Sequence, residues 1–415
     1  MAEKNNEKYI AVVGFGEIGK RNTKEQLVTC PIKVEAVVEP DDKKYEDGCK
    51  WIKQTPKRYQ NAQQLLEDEK NKKIRKLDGV MISTPNHTHL GVLRLFEKHD
   101  IPIFLEKPLD SSFEKICDVV RFAEKYKNRI LVHHCMRYAP ILMKAKELID
   151  SNAIGKVCSS NYVQNCFYGN YMFRSFRRTM EGSGGYFVEK ATHDFDIMQY
   201  LMPAKAVRIA AISKRQEFGG NKPDDLVCSK CDERFSCRES KNNMLYRFGE
   251  DSEGEAAWGD ESCVYAKCVD VPDNETCMIE FDNGTFGTYS QCFFSPVSYD
   301  TRVYEIIGLE GIMRINLSIV GNHSKGKILL CPRYGTPEDR YEFDFDYRNR
   351  IHYNAGGPVA MHFYELMLNK DVKPFTTVQQ AFVSELIAYC ATLAAQQKKM
   401  IAVDEIVPGD LKHLL

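Results

Sequence analysis

Residues 8–19 read KYIAVVGFGEIG. A short apolar, β-branched run leads straight into Gly14, Gly16 and Gly19, spaced G-x-G-x-x-G, and the KRNTKEQLV that follows can be helical. Strand, glycine turn and helix in that order make a dinucleotide-binding turn. The first glycine permits the tight bend, the second lets backbone approach a pyrophosphate, and the third lets helix and strand pack closely. Free N–H groups at the helix start then meet the negative charge. The whole turn, with Phe15, Glu17 and Ile18 between the glycines, is the expected cofactor cradle.

The continuation strengthens this reading. Residues 34–38 (VEAVV) form a second buried-strand pattern that ends at Glu39, 20 residues beyond Gly19. A carboxylate there accepts hydrogen bonds from the adenosine ribose hydroxyls and repels a 2′-phosphate, which favours NAD over NADP. A solvated glutamate at a strand end is the plainer alternative.

Composition sets the outer bounds. The chain of 415 residues is long enough for two or three domains. Lys+Arg 57 against Asp+Glu 58 leaves a net charge of −1, so no nucleic-acid-binding surface is implied. The start, MAEKNNEKY, has no apolar signal core, and no run approaches the length of a membrane span. Fifteen cysteines scattered along the chain suit reduced thiols better than a disulfide framework. A cytoplasmic protein with no membrane partner is expected.

Further strands follow at residues 77–83 (LDGVMIS), 101–105 (IPIFL) and 129–133 (RILVH), alternating with amphipathic helical segments. The alternation predicts a parallel sheet with helices on both faces. In such a sheet ligands sit beyond the carboxyl ends of strands. Thr84, Pro85 and Asn86 of TPNHTH therefore line the cofactor cleft, as do Glu106 and Lys107 of EKP and Arg137 of HCMRYAP. A strand-end ammonium at Lys107 can bind a substrate hydroxyl and stabilise developing alkoxide charge, although most strand-end lysines are merely solvated. His87 and His89 sit where a helix starts, and such histidines cap or pack more often than they bind metal.

GFGEIG, TPNHTH, EKP and MRYAP occur here in one order. So arranged, the chain resembles the glucose–fructose oxidoreductase / inositol dehydrogenase / MocA (Gfo/Idh/MocA) family over nearly its whole length. The resemblance implies an α/β fold: a Rossmann domain over residues 1–138, then an α/β domain over 139–415 whose large, open, mostly antiparallel sheet carries the substrate and mediates a homodimer or homotetramer. It implies NAD(P)-dependent oxidation of a ring hydroxyl, or reduction of the ketone, on a sugar or polyol, with Lys107 catalytic and Tyr138 beside the substrate.

Residues 168–180, YGNYMFRSFRRTM, mix three arginines with four aromatics. Aromatic faces stack on sugar rings and arginine forks suit carboxylates, so Arg174, Arg177 and Arg178 are candidates for selecting an acidic substrate, Arg177 foremost; a solvated basic loop is the competing reading. YFVEKATHDFDIMQYL (186–201) has helical apolar spacing. Glu189 and His193 stand four apart, so a helix stacks them on one face. The carboxylate would orient the imidazole, which would serve as general acid/base. The family carries an aspartate–histidine pair at this spacing, with another aspartate three residues on, matched by His193 and Asp196; Glu189 stands in the first aspartate's place.

Residues 215–268 are polar, charged and cysteine-rich. Cys228-x-x-Cys231, Cys237 and Cys263 make four thiols, with Cys268 as substitute for the last. Four thiolates suit a structural Zn²⁺ that pins a loop with little core of its own; free thiols are the alternative, and an iron–sulfur cluster a more distant one. Three function classes remain: an NAD-dependent dehydrogenase acting on a sugar, polyol or glycoside; an NAD-dependent glycosidase working by transient ring oxidation and elimination; and a sensor that retained the fold without chemistry.

Overall fold

A computed structural model describes residues 6–126, 129–167, 169–241, 243, 260–296, 302–320, 323–336, 339–345 and 352–415. The chain divides into two compact units: Met1–Met143 with Arg348–Ser384, and Lys144–Tyr347 with Glu385–Leu415. The expected break after residue 138 lies close to the unit boundary at residue 143. Residues 348–384 return to the first unit. The reason is packing: the helix Gly356–Leu368 lies against the helix Glu17–Thr29, and a Cβ on Gly79 would come within 2.9 Å of Met367 Sδ.

Among the described residues the first unit holds a six-stranded sheet, every pairing parallel, in the order β3-β2-β1-β4-β5-β6. The strands are β1 (Lys8–Val13), β2 (Ile32–Val38), β3 (Lys57–Tyr59), β4 (Gly79–Ile82), β5 (Ile103–Leu105) and β6 (Ile130–Val132). Their near-continuous apolar runs are what a parallel sheet covered on both faces requires. The helices between start where side chains can cap them: Asp41 accepts from Lys44 N, Asn61 from Gln64 N and Ser112 from Lys115 N. This is the doubly wound, dinucleotide-binding strand order.

The second unit is built on a nine-stranded sheet, order β14-β13-β12-β11-β7-β10-β9-β8-β15 among the described residues. These strands are β7 (Val157–Asn165), β8 (Ala206–Lys214), β9 (Asn274–Phe281), β10 (Phe286–Cys292), β11 (Arg302–Gly308), β12 (Gly311–Val320), β13 (His323–Pro332), β14 (Asp339–Phe345) and β15 (Ile401–Ala402). Only β7 and β10 run parallel; the other neighbours are antiparallel. Alternation along the strands buries one face, with Tyr162, Ile279, Tyr289, Tyr304 and Ile315 at most 1% exposed. The helix Thr192–Leu201 covers this face: a Cβ on Gly287 would stand 3.1 Å from Met198 Sδ.

Of the expected insertion, residues 242 and 244–259 lie outside the described residues, as does Tyr168 of the arginine–aromatic stretch. The remainder of the insertion is not coreless. Phe218, Val264, Ala266, Val269 and Val271 pack into one apolar cluster with Tyr171, Phe173, Tyr186 and Phe293. No helix among the described residues is long and apolar enough to cross a membrane.

Candidate active site

The three glycines after β1 occupy three different environments. Gly14 has φ +88°, and a Cβ there would lie 2.6 Å from Ser83 O. A Cβ on Gly19 would lie 2.2 Å from Gly14 O, whereas one on Gly16 would meet nothing within 4 Å. Bend, open approach and tight helix packing are therefore each demanded at the position where a dinucleotide turn needs them. Gly16 is the N-cap of the helix Glu17–Thr29 and offers no capping side chain, which leaves the first-turn N–H groups for an anion. Glu17 is neutralised there by Lys20 (2.8 Å) and Arg21 (2.7 Å). The residues fit a dinucleotide.

Phe15 contributes no side chain to this cradle, being fully buried and in contact with Gly48. Its N–H donates to Glu39 Oε2 at 2.9 Å, and Asp41 N donates to Glu39 Oε1 at 3.1 Å. Glu39 thus braces the glycine turn directly, and a carboxylate has acceptor capacity beyond two bonds. Thr84 and Pro85 follow β4 partly or fully exposed, with Asn86 buried behind them. His89 is a packing residue: its ring nitrogens lie 2.9 Å from Thr84 O and 2.9 Å from Pro108 O, tying the two loops together, and burial pulls its pKa below the ordinary value.

Lys107 follows β5 half-buried at the same carboxyl edge of the sheet as the glycine turn. Glu106, expected at the cofactor, lies beneath it as a brace. Its carboxylate accepts from His133 Nδ1 at 2.7 Å, from Asn22 Nδ2 and from Lys107 N at 3.3 Å. Burial works against the Glu106 charge, but His133, Lys107 and Asn22 outweigh it and hold the carboxyl below its usual range. Burial likewise opposes a charge on His133, yet Glu106, helped by Cys135, lifts it to about 10. Sequence reading missed His133; a histidine ending a strand beside a strand-end glutamate was the available signal.

Two further expected residues of the first unit are buried. Tyr138 is 6% exposed, its hydroxyl 2.7 Å from His362 Nδ1 and its ring edge-on to Phe375. It packs against the helix Gly356–Leu368 through the His362 contact. Arg137, in the same 3₁₀ turn, is also buried.

In the second unit the expected helix begins as a π-helical turn, Phe187–Ala191, before becoming α-helical over Thr192–Leu201. A π turn takes more residues per revolution, so positions 189 and 193 do not stack as an α-helix would stack them. Such turns recur at functional sites. Glu189 Oε1 accepts from Arg177 Nε at 2.8 Å in a part-buried ion pair, so the carboxylate is charge-balanced by a guanidinium as well as being near His193 in sequence. Within residues 189–196 the chain buries Glu189, Lys190, His193, Asp194 and Asp196, none more than 7% exposed. That is five buried titratable groups in eight residues. Asp194, unassigned from sequence, anchors it to the sheet. It accepts from Arg302 Nε at 2.8 Å, from Tyr289 Oη at 3.2 Å and from Tyr304 Oη.

The arginines of the aromatic stretch are not a solvated loop. Arg177 is held by Glu189 and by the rings of Tyr171 and Phe176. Arg178 donates to Asp224 O at 2.9 Å. Arg174 is 1% exposed and donates to Ser262 O (2.6 Å), Glu239 O (2.7 Å) and Cys228 Sγ (3.5 Å). Cys228, Cys231, Cys237 and Cys263 line one pocket with Arg174, while Cys268 stands apart with its N–H on Asp224. Among the described residues no three His, Cys, Asp or Glu side chains already surround one point as metal ligands would.

Comparison with known proteins agrees with this architecture. The NAD-binding Rossmann model of an oxidoreductase family matches residues 8–134, and that family's C-terminal alpha/beta domain matches residues 146–403. Scyllo-inositol 2-dehydrogenase (NAD(+)) of Bacillus subtilis (strain 168) is 24% identical over 95% of this chain and 96% of its own length. YteT of the same organism is 23% identical over 59% of this chain, which spans only 61% of that protein. Among solved structures, a levoglucosan dehydrogenase in complex with NADH and levoglucosan superposes with a TM-score of 0.69 at 15% identity, covering 96% of this chain and 99% of its own. An oxidoreductase from Agrobacterium radiobacter gives 0.67 at 14%, covering 96% and 99%. With both halves matched, the chain belongs to the Gfo/Idh/MocA oxidoreductase family.

Proposed function

We propose that this protein is a cytoplasmic, NAD-dependent dehydrogenase of a cyclic polyol, sugar or glycoside, oxidising a ring CH–OH or reducing the corresponding ketone. The observation that carries the reading is the placement of Lys107 on the same sheet edge as a glycine turn that demands glycine at its bend and leaves Gly16 open. The scyllo-inositol and levoglucosan relatives support the substrate class.

Gly14–Gly19, Glu39 and the loop Thr84–Asn86 hold the dinucleotide, which when bound supplies the hydride acceptor or donor. Glu39 presents negative charge where NADP carries its 2′-phosphate, hence the preference for NAD. Lys107 donates a hydrogen bond to the reacting hydroxyl and offsets the negative charge that grows on its oxygen. Glu106, fixed by His133 and Asn22, restrains the backbone from which Lys107 projects. His193 takes the hydroxyl proton, and the Glu189–Arg177 pair fixes the turn that carries it. The assembly is a homodimer or homotetramer joined through the sheet of the second unit.

The test is absorbance at 340 nm with NAD⁺ against inositols, sugars, uronic acids and glycosides, with products chromatographed in parallel. The proposal expects a rise with one substrate that falls about 10²–10⁴-fold in Lys107→Ala and in His193→Ala. Glycoside cleavage that needs NAD⁺ without net reduction would replace it with the redox-assisted glycosidase. Tight NAD binding with no turnover of any compound would replace it with a sensor.

A further inference from the structure

The excursion that carries Cys228, Cys231 and Cys237 has almost nothing apolar to hold it. Between residues 226 and 241, Cys228 is the buried apolar residue, and Phe235 is 73% exposed. The apolar cluster beneath the insertion draws on Phe218 and on Val264–Val271, either side of this excursion. Regular structure is equally sparse. Among the described residues of 215–268 the regular structure is a 3₁₀ turn at Cys228–Lys230, helical residues at Lys241 and Asn243, and isolated bridges at Lys222↔Ala266 and Val227↔Ser262.

Yet the backbone brings the thiols to one place. Cys228 N donates to Glu261 O at 2.8 Å and Cys263 N to Leu226 O at 2.9 Å, so the segment bearing Cys263 pairs beside the Cys-x-x-Cys turn. Cys231 N returns to Cys228 O at 3.2 Å, and Cys237 N closes onto Glu233 O at 2.8 Å. All four cysteines are free thiols and line the same pocket.

Arg174 is a second and independent observation. Its guanidinium lines that pocket at 1% exposure. Its acceptors are two carbonyl oxygens and the Cys228 sulfur, Nε has no hydrogen-bond partner, and the carboxylate that feels its charge is Glu261, two residues before Cys263. Burying a guanidinium is expensive, and further negative charge in the pocket offsets that cost. Four thiolates around a divalent cation carry a net charge of −2, and N–H groups that donate to ligating sulfur are the usual outer shell of such a centre.

We propose that Cys228, Cys231, Cys237 and Cys263 bind one structural Zn²⁺ in tetrahedral geometry, with Arg174 as its buried counter-cation. Binding at the usual Zn–S distance of about 2.3 Å requires the thiols to turn from the pocket wall, since among the described residues no three of them yet surround one point. The centre replaces the apolar core that the excursion lacks. It stands on residues of the second unit alone and is independent of the dehydrogenase reading.

The experiment uses full-length protein expressed with added zinc and purified without chelator. Elemental analysis should give one zinc per chain. Titration with a mercurial should release that zinc, seen with a chromogenic chelator, in step with four protected thiols. Exchange for Co²⁺ should give the visible bands of a tetrahedral thiolate site. Cys237→Ser should lower the zinc content and the thermal midpoint while NAD binding by the first unit persists. Because that variant can fail to fold, the wild-type metal and thiol counts decide. Zinc well below stoichiometry with all four thiols promptly reactive overturns the proposal, as does a disulfide among them by mass spectrometry. Iron with absorption near 400 nm overturns it in favour of an iron–sulfur cluster.

Discussion

Gly14, Gly16 and Gly19 are identical in sequence and unequal in what replacement costs. Gly14→Ala adds a Cβ at positive φ, 2.6 Å from a backbone oxygen, so strain of roughly 1–3 kcal/mol is the least to expect and folding suffers. Gly16→Ala meets no atom within 4 Å. It should keep the wild-type thermal midpoint and yet bind NAD at least about tenfold more weakly, about 1.4 kcal/mol, because its methyl fills space kept for pyrophosphate. Calorimetric titration beside thermal denaturation checks this; unchanged affinity in a folded Gly16→Ala would remove the cradle. The Glu106–His133 pair yields a pH prediction. The folded value of His133, about 10, lies above the ordinary value near 6.5. Its stabilisation is therefore complete below about pH 6.5 and fades as pH rises towards 10. Glu106 is shifted down, so its share is present above its ordinary value near 4.3 and is lost as pH falls through the folded value. Wild-type midpoints should decline more steeply between pH 6.5 and 10 than those of His133→Gln, which keeps a donor without the charge; parallel curves would mean the pair is not ionic.

At the scale of elements, the helix Thr192–Leu201 is fastened to its sheet by a buried charge. Asp194 and Arg302 are 0% and 3% exposed at the side chain. Arg302→Met strands the carboxylate, at a cost of about 3–5 kcal/mol. Denaturant unfolding should register that loss in the second unit, with NAD affinity in the first unchanged; a loss below 1 kcal/mol would mean Asp194 is neutral or rehydrated. This anchor also shows what sequence could and could not reveal. Period and glycine spacing made β1, β2, β4, β5 and β6 legible, because strands buried on both faces are apolar throughout. Lys57–Tyr59 (KRY) was not, since three residues carry no pattern, and DRYEFDF at Asp339–Phe345 looks polar because it is an edge strand. Asp194 was illegible because its partners Arg302, Tyr289 and Tyr304 lie about a hundred residues away. The π turn was hidden for a different reason: Phe187–Ala191 has ordinary helical composition, and only the backbone shows that its period is wider. Glu189 stood out in sequence as a partner for His193, while its ion pair with Arg177 depended on where a loop folds back.

For the whole molecule, the argument lies with the face of the nine-stranded sheet that the helix Thr192–Leu201 does not cover. Ile212, Met278 and Phe286 are 63%, 60% and 58% exposed. Register puts them together. Met278 pairs with Ala210 on one side and Thr288 on the other, so Ile212 and Phe286 are its diagonal neighbours on the same face, about 7–8 Å away. We propose that these three large apolar side chains, in an adjacent row on one sheet face, are an association surface. The flat neighbours Ala210 and Thr288 allow a second sheet to approach closely. A two-fold axis through this patch would set it against itself, the self-complementary contact of a symmetric dimer. Light scattering should therefore return two or four times the 47.7 kDa chain mass. Met278→Lys puts a charge at the centre of the row, where burial in an interface is costly, and should shift the mass towards one chain while NAD binding survives. An oligomer indifferent to Met278→Lys would place the interface on another surface, and a wild-type monomer would leave the row to a different partner.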